Sequence, residues 1–359
     1  MYLDQKLTAS LPALFALTSA NSYAILNLGG GGSSSSATLA AQLGTIDHGP
    51  ANVLFSSTVT FTYDYNISTD HTMTFGASAA YNGNGHAINL PSISSPALIF
   101  SNGVTATLAN MQLKGFRGAH ISLGTGSFVY FGNGTEVDLS SAQTLVMTVT
   151  FAGNTILNGN DTTLTLGSGG QLVVARGSTL TLRNITISGV GGNNIVCLDN
   201  TAALAFDNVK LCLSSNYNFS SGAFSVNRSL DITGNSTFAY STSKTSTILA
   251  ASELLIDRNM TFSYDAPSTN KNLLEFYNPT AILHCNTSTL HTTQTGIQLT
   301  NGTLMIEGQV TLENEATTMA GAIVFGNGNA DSDLRIIMRS GCSLIGSERC
   351  LMDYQNSQG

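Results

Sequence analysis

One phrase recurs along this chain and narrows the possible folds more than any other feature. Two apolar residues flank a variable one, an amide follows at a short interval, and a second apolar-x-apolar pair closes the phrase. Leu180 and Leu182 precede Asn184, Ile185 and Ile187, and Leu204 and Phe206 precede Asn208, Val209 and Leu211. Leu230 and Ile232 lead to Asn235 and Phe238, and Leu254 and Ile256 lead to Asn259 and Phe262. Ile282 and His284 lead to Asn286 and Leu290, and Leu304 and Ile306 lead to Gln309, Val310 and Leu312. The amides are 24, 27, 24, 27 and 23 residues apart, and Leu108, Asn110, Met111 and Leu113 repeat the phrase upstream. Apolar residues with period two define strands, and period two excludes helical solenoids. One such module cannot bury its apolar face alone, but stacked modules can.

Stacking fixes the rest of the expectation. Like residues lie above one another at about 4.8 Å per rung. Leu, Ile, Val and Phe then form interior columns. Asn110, Asn184, Asn208, Asn235, Asn259, Asn286 and Gln309 are expected to form an interior amide ladder at the turn. Residues 53–359 would hold roughly 12 rungs of about 25 residues, roughly 60 Å in length. Thr58 to Tyr63 and His71 to Phe75 alternate in the same way, and Asn-Gly pairs such as Asn82-Gly83 and Asn133-Gly134 mark turns.

Composition suits that surface. Charged residues are 9% of the 359 residues, against about 25% in an ordinary domain. Ser, Thr and Asn fill most polar positions, as stacked sheets require where like charges would repel. The net charge of −8 and the scattered bases argue against nucleic-acid binding. No apolar run reaches the roughly 20 residues that span a bilayer.

Upstream, residues 1–24 read either as a secretory signal or as an N-terminal cap. Leu7 to Ala20 is apolar and Ser22-Tyr23-Ala24 resembles a cleavage site. Residues 25–52, with the Gly29 to Ser36 run, read as a Gly/Ser-rich linker and cap, in which Thr38 to Leu43 could make a helical turn. Cys197, Cys212, Cys285, Cys342 and Cys350 show no C-x-x-C spacing. Cys197 with Cys212, and Cys342 with Cys350, could pair; buried thiols are the alternative.

The modules, with Gly83-Asn84-Gly85-His86-Ala87-Ile88, resemble the right-handed parallel β-helix of the pectin-lyase-like superfamily. That resemblance implies an all-β solenoid over roughly residues 50–359. Its enzymes use Ca²⁺-holding aspartates with an Arg, or the motifs Asn-x-Asp, Asp-Asp, Gly-His-Gly and Arg-x-Lys. Here Asp-Asp is absent, Gly85-His86-Ala87 lacks the final Gly, and Asn329-Ala330-Asp331 and Arg335-Ile336-Ile337 begin six residues apart with neither inner motif between them. No catalytic residue is therefore carried over, and no cofactor is implied.

Asp331 and Asp333 flank a serine and would share one strand face, where they could bind Ca²⁺ or act as an acid/base pair; a solvated loop is the competing reading, and Glu313 and Glu315 read as a turn rim. Tyr130, Tyr240, Tyr264 and Tyr277 could stack on sugar rings if they face outward. His284 is expected as a wall residue of an apolar column. Ten Asn-x-Ser/Thr sequons occur, four of them on the expected ladder, where a glycan would not fit. The expectation is a non-enzymatic secreted or cell-surface protein for attachment, shielding or contact with a polysaccharide or host-surface glycan. A polysaccharide lyase or glycosidase is the alternative. A passenger or repeat fragment, with an end-to-end or C-terminal partner chain covering an open last rung, is the third reading.

Overall fold

The computed structural model describes residues 25–28, 352–354, and 52–346 apart from 57, 62–63, 68, 70, 94, 266–272, 316–320 and 327–332. The chain is all-β, with parallel strands stacked as a β-solenoid of about 11 turns. No described helix is long and apolar enough to cross a membrane. The expected signal, the helical turn at residues 38–43, Cys350 and Asp331 lie outside the described residues. Contacts divide the chain into two units, residues 1–140 and 141–359.

In the first unit every named strand pairs in parallel. One sheet stacks Ile25–Leu28, Asn52–Phe55, Thr72–Phe75, Leu98–Phe100 and Ile121–Leu123. A second stacks Ala79–Asn82, Thr105–Ala109 and Phe128–Phe131. A third stacks Tyr65–Asn66, Ala87–Asn89, Gln112–Phe116 and Glu136–Leu139. Within the first of these sheets Leu26 is level with Val53 and Leu28 with Phe55. Of the alternation expected at 58–63, Thr60 forms a parallel bridge to Asn82, and residues 62–63 lie outside the described residues. The interior is aromatic. Phe75 stacks on Phe100 at 4.7 Å and 9°, and Tyr81 meets Phe75 edge-on at 4.7 Å.

In the second unit each turn gives one strand to each of three columns. The first column runs through residues 209–213, Ser229–Gly234, Glu253–Ile256, Ile282–Asn286, Gly302–Glu307 and Leu334–Met338. The second runs through 217–219, Thr237–Tyr240, Thr261–Tyr264, Thr289–Thr292, Gln309–Asn314 and Ser343–Gly346. The third includes 203–206, Ala223–Val226, Ser246–Ile248 and Leu274–Phe276. Rung spacing puts like on like: Phe238 stacks on Phe262 at 5.7 Å and 8°, and Tyr240 on Tyr264 at 5.6 Å and 8°. Each such pair adds about 0.5–1.5 kcal/mol beyond its area burial. At the last described turn, Ile336 and Met338 are level with the buried Leu304 and Ile306 but are 51% and 56% exposed.

The register corrects the repeat as read from sequence. Leu204 and Phe206 are level with Phe224 and Val226, whereas Val209 and Leu211 are level with Leu230 and Ile232. The phrase therefore slides from one corner to the next between these turns. The physical reason is that every corner joins two short strands of period two, so all corners read alike.

The amides follow the corners. Asn184 and Asn208 sit between the third and first columns, with φ of 46° and 62°. Asn235, Asn259, Asn286 and Gln309 sit at the corner between the first and second columns, where Gly234, Asn259, Thr287, Gly308 and Gly341 all have positive φ. Asn110, with φ 51°, turns a corner of the first unit. None of the seven is interior: Asn110, Asn208, Asn235, Asn259 and Gln309 are exposed, and Asn184 and Asn286 half-exposed. Asn110, Asn184, Asn208 and Asn259 take the left-handed region themselves, which asparagine tolerates better than most side chains, whereas at Asn235, Asn286 and Gln309 the positive φ falls on the neighbours Gly234, Thr287 and Gly308. The crowding argument against sequons at Asn235 and Asn259 falls with the interior placement.

Candidate functional site: an ionic cluster around His284

On the first column of the second unit, alternation sends Leu230, Ile232, Leu254, Ile256, Leu283, Cys285, Leu304 and Ile306 inward, each of them buried. The intervening residues face outward. Asp231 is level with Leu255, Leu255 with His284, His284 with Met305, and Met305 with Ile337. On one side of this row stand Glu253, Ile282, Thr303 and Arg335, and Asn286 is level with Glu307 on the other. His284 thus has a carboxylate on the turn before it and another on the turn after it, along a diagonal.

The contacts are short. His284 Nδ1 lies 2.6 Å from Glu253 Oε1, and Nε2 lies 3.2 Å from Glu307 Oε2. Arg339 Nε is 3.5 Å from the same Glu307 oxygen, and its Nη2 is 3.5 Å from Met305 Sδ. Asn286 Nδ2 donates to Asp257 Oδ1 at 2.9 Å. Lys210 is level with Asp231. Although it faces outward, His284 is only 8% exposed.

The electrostatics follow from these partners. The hydrogen bond to Glu253 holds the His284 imidazolium above its ordinary range, against burial. The same bond holds the Glu253 carboxyl below its ordinary range. Burial, and then the Glu253 charge, pushes Asp231 up. Two carboxyl groups on adjoining turns are therefore driven in opposite directions.

This cluster corrects the sequence reading of His284. Leu283 and Cys285 occupy the apolar column, and the frame Ile282-x-His284 is the outer one. The signal available in sequence was the competing alternation Ala281, Leu283, Cys285, which places a histidine between Glu253 and Glu307 only once the pairing is known.

The other expected site residues among those described lie elsewhere. Tyr240 and Tyr264 are fully buried, so their expected sugar contact is overturned. Both stand at inward positions of the second column. The Tyr240 hydroxyl lies 2.7 Å from the carbonyls of both Lys244 and Leu273, either of which can take its one proton, and Tyr264 accepts the Leu273 N–H at 3.2 Å. Tyr277 is 69% exposed, and Tyr130 is half-buried, level with Thr107. Asp333 is exposed, and its backbone N–H reaches Asn301 Oδ1 at 3.4 Å. Cys197, Cys212, Cys285 and Cys342 are free thiols, so the Cys197–Cys212 bridge does not form. Burial pushes the Cys285 thiol up to about 12, which makes it inert.

A second arrangement has the composition of a nucleophilic triad. Ser263 Oγ is 3.0 Å from His291 Nδ1, and His291 Nε2 is 3.3 Å from Glu315. However, Ser263 also donates to Asp265 Oδ1 at 2.8 Å. A hydroxyl has one proton and an ionised carboxylate only accepts. Ser263 therefore directs its proton to Asp265 rather than to His291, and the residue is 6% exposed. Among the described residues no group of three His, Cys, Asp or Glu is placed to hold a metal ion.

Comparison with family models, with curated proteins and with solved structures finds no match.

Proposed function

We propose that this protein is a non-enzymatic secreted or cell-surface β-solenoid that contacts a glycan through the face around His284. One observation carries the reading. A chain with 9% charged residues gathers Lys210, Asp231, Glu253, Asp257, His284, Glu307 and Arg339 on one column of strands. A fold sustained by apolar columns gains little from the exposed members of such a line on its outer wall, since exposed ion pairs contribute about 0–1 kcal/mol each. Carboxylates and guanidinium groups at rung spacing present acceptors and donors in series, which suits the hydroxyls of an extended polysaccharide. The test is a glycan array with the full chain. Binding that drops at least tenfold in Asp231→Asn and Glu307→Gln supports the reading. A folded protein that binds no neutral or acidic glycan, and that fractionates with the cytosol, sinks it.

A second reading, a glycoside hydrolase, is favoured by the opposed behaviour of Asp231 and Glu253. Environments that push two carboxyls apart are how an acid and a base are assigned. In that reading Asp231 protonates the leaving oxygen and Glu253 activates water. Release of reducing ends that Asp231→Asn abolishes would establish it; no release from any polysaccharide that the array identifies would remove it.

A further inference from the structure

The two ring nitrogens of His284 face carboxylates on opposite sides, at 2.6 Å and 3.2 Å. A neutral imidazole has one N–H and one lone pair. Neutral, it could donate to only one of these carboxylates and would turn a lone pair toward the other. The geometry is satisfied only when both nitrogens carry protons. His284 then joins Glu253–Ile256, Ile282–Asn286 and Gly302–Glu307 by side chains, in addition to the backbone ladder.

The two contacts are not equivalent. Glu253 is the closer, whereas Glu307 has Arg339 as a second partner at 3.5 Å. When one proton leaves, Nδ1 keeps its hydrogen bond to Glu253 and Nε2 gives up the proton to solvent. Glu307 is then released from the ring, with Arg339 beside it. The charged groups on and beside this column are Lys210, Asp231, Glu253, Asp257, Glu307, Arg335 and Arg339, and the two that touch the ring, Glu253 and Glu307, are both carboxylates.

We propose that the Glu253–His284–Glu307 bridge is a proton-controlled clasp: closed, it ties three successive turns, and loss of the Nε2 proton opens it and frees Glu307 and Arg339 to engage the hydroxyls of a polyol ligand. The identity of that ligand rests on the glycan reading above; the clasp itself does not. Its sign is fixed. A histidine raised above its ordinary range stabilises the fold below the unfolded value of about 6.5 and loses that contribution as pH rises through the raised value.

The experiment is a pH titration of the His284 ring nitrogens by long-range proton–nitrogen spectra of the full chain, assigned by the signal missing in His284→Gln. The clasp predicts a doubly protonated ring at pH 6.5. It predicts a midpoint lower by about one pH unit or more in Glu253→Gln, where an opposing charge is lost. It predicts a higher midpoint in Arg339→Ala, where a like charge is lost. A ring carrying a single proton at pH 6, or a midpoint that neither variant moves, overturns it. Should Arg339→Ala fail to fold, Arg339→Gln removes the same charge with more of the side chain kept. A ring that titrates as described in a protein that binds no glycan at any pH supports the clasp while overturning the glycan reading, so the two fail separately.

Discussion

Asn208 donates through Nδ2 to Oδ1 of Asn184, one turn before it, at 3.1 Å, and both residues hold a left-handed backbone conformation. Two explanations of the recurring asparagine meet in this pair, the side-chain bond and the backbone, and they separate experimentally. Asn208→Gly keeps the conformation and loses the bonds to Asn184 and from Ser229, each of about 0.5–1.5 kcal/mol. Asn208→Val loses both and adds a left-handed penalty of about 1–2 kcal/mol. Urea unfolding should therefore rank wild type, Gly and Val in that order. Equal losses in the two variants would show that the bond alone sets the choice of residue.

A sharper form of the same argument lies at Thr287, which has φ of 46°. A β-branched residue in this region is strained. Its backbone is pinned from both sides, with its N–H on Glu307 O at 2.9 Å and its carbonyl accepting from Asn259 at 3.0 Å. Thr287→Asn, which restores the residue type used at Asn259, should stabilise the protein by about 1 kcal/mol, read as a rise in the urea midpoint at constant slope. An unchanged or lower midpoint would mean that the Thr287 side chain makes compensating contacts.

The fold was legible because a period of two at a spacing of about 25 residues has few other solutions. What sequence could not fix was which corner each asparagine turns. Leu204 and Phe206 could stack under Leu230 and Ile232 or under Phe224 and Val226, and both pairings match apolar with apolar; the structure uses the second. The candidate site was hidden by the same degeneracy. With Ile282 and His284 assigned inward, Glu253 and Glu307 have no common neighbour. A shift by one residue brings all three together, since a slip of one moves every side chain to the other face. Tyr240 and Tyr264 were ambiguous for a related reason: a tyrosine serves either side of a wall, and only the carbonyls of Lys244 and Leu273 show that this hydroxyl is satisfied indoors.

The phrase Gly83-Asn84-Gly85-His86 can be assigned a structural purpose. A methyl group on Gly83 would lie 2.2 Å from Met111 Cβ, whereas Gly85, at φ 84°, has open space around it. Gly83 is thus required by packing of one turn against the next, and Gly85 by backbone conformation alone. Gly83→Ala should cost about 1–3 kcal/mol or more through overpacking, and Gly85→Ala about 1–2 kcal/mol through its dihedral. Gly85→Asn, which tolerates that dihedral, should recover most of its loss, while Gly83→Asn should be worse than Gly83→Ala. Thermal unfolding of the four variants checks the assignment, and the reverse pattern would refute it.

His120 gives the first unit an acid sensitivity opposite in sign to that of the His284 clasp. Its ring is buried, its Nε2 donates to Ile93 O at 2.7 Å, and its Nδ1 accepts the backbone N–H of Arg117 at 3.1 Å. Those roles fix one neutral tautomer. Burial lowers its proton affinity, and the nearby Arg117 charge adds to that, so the folded state binds a proton less readily than the unfolded chain. Stability from this residue is therefore complete above about pH 6.5 and is lost as pH falls through the lowered folded value. Protonation would place a hydrogen on Nδ1 against the Arg117 N–H, opening the turn at Gly118–His120. Amide exchange at Arg117 and Ile121 should accelerate between pH 6.5 and 5 in the wild type, after correction for the intrinsic pH dependence of exchange. In His120→Gln, which offers a donor without a titrating ring, that acceleration should be absent; its persistence would place the acid sensitivity elsewhere in the unit.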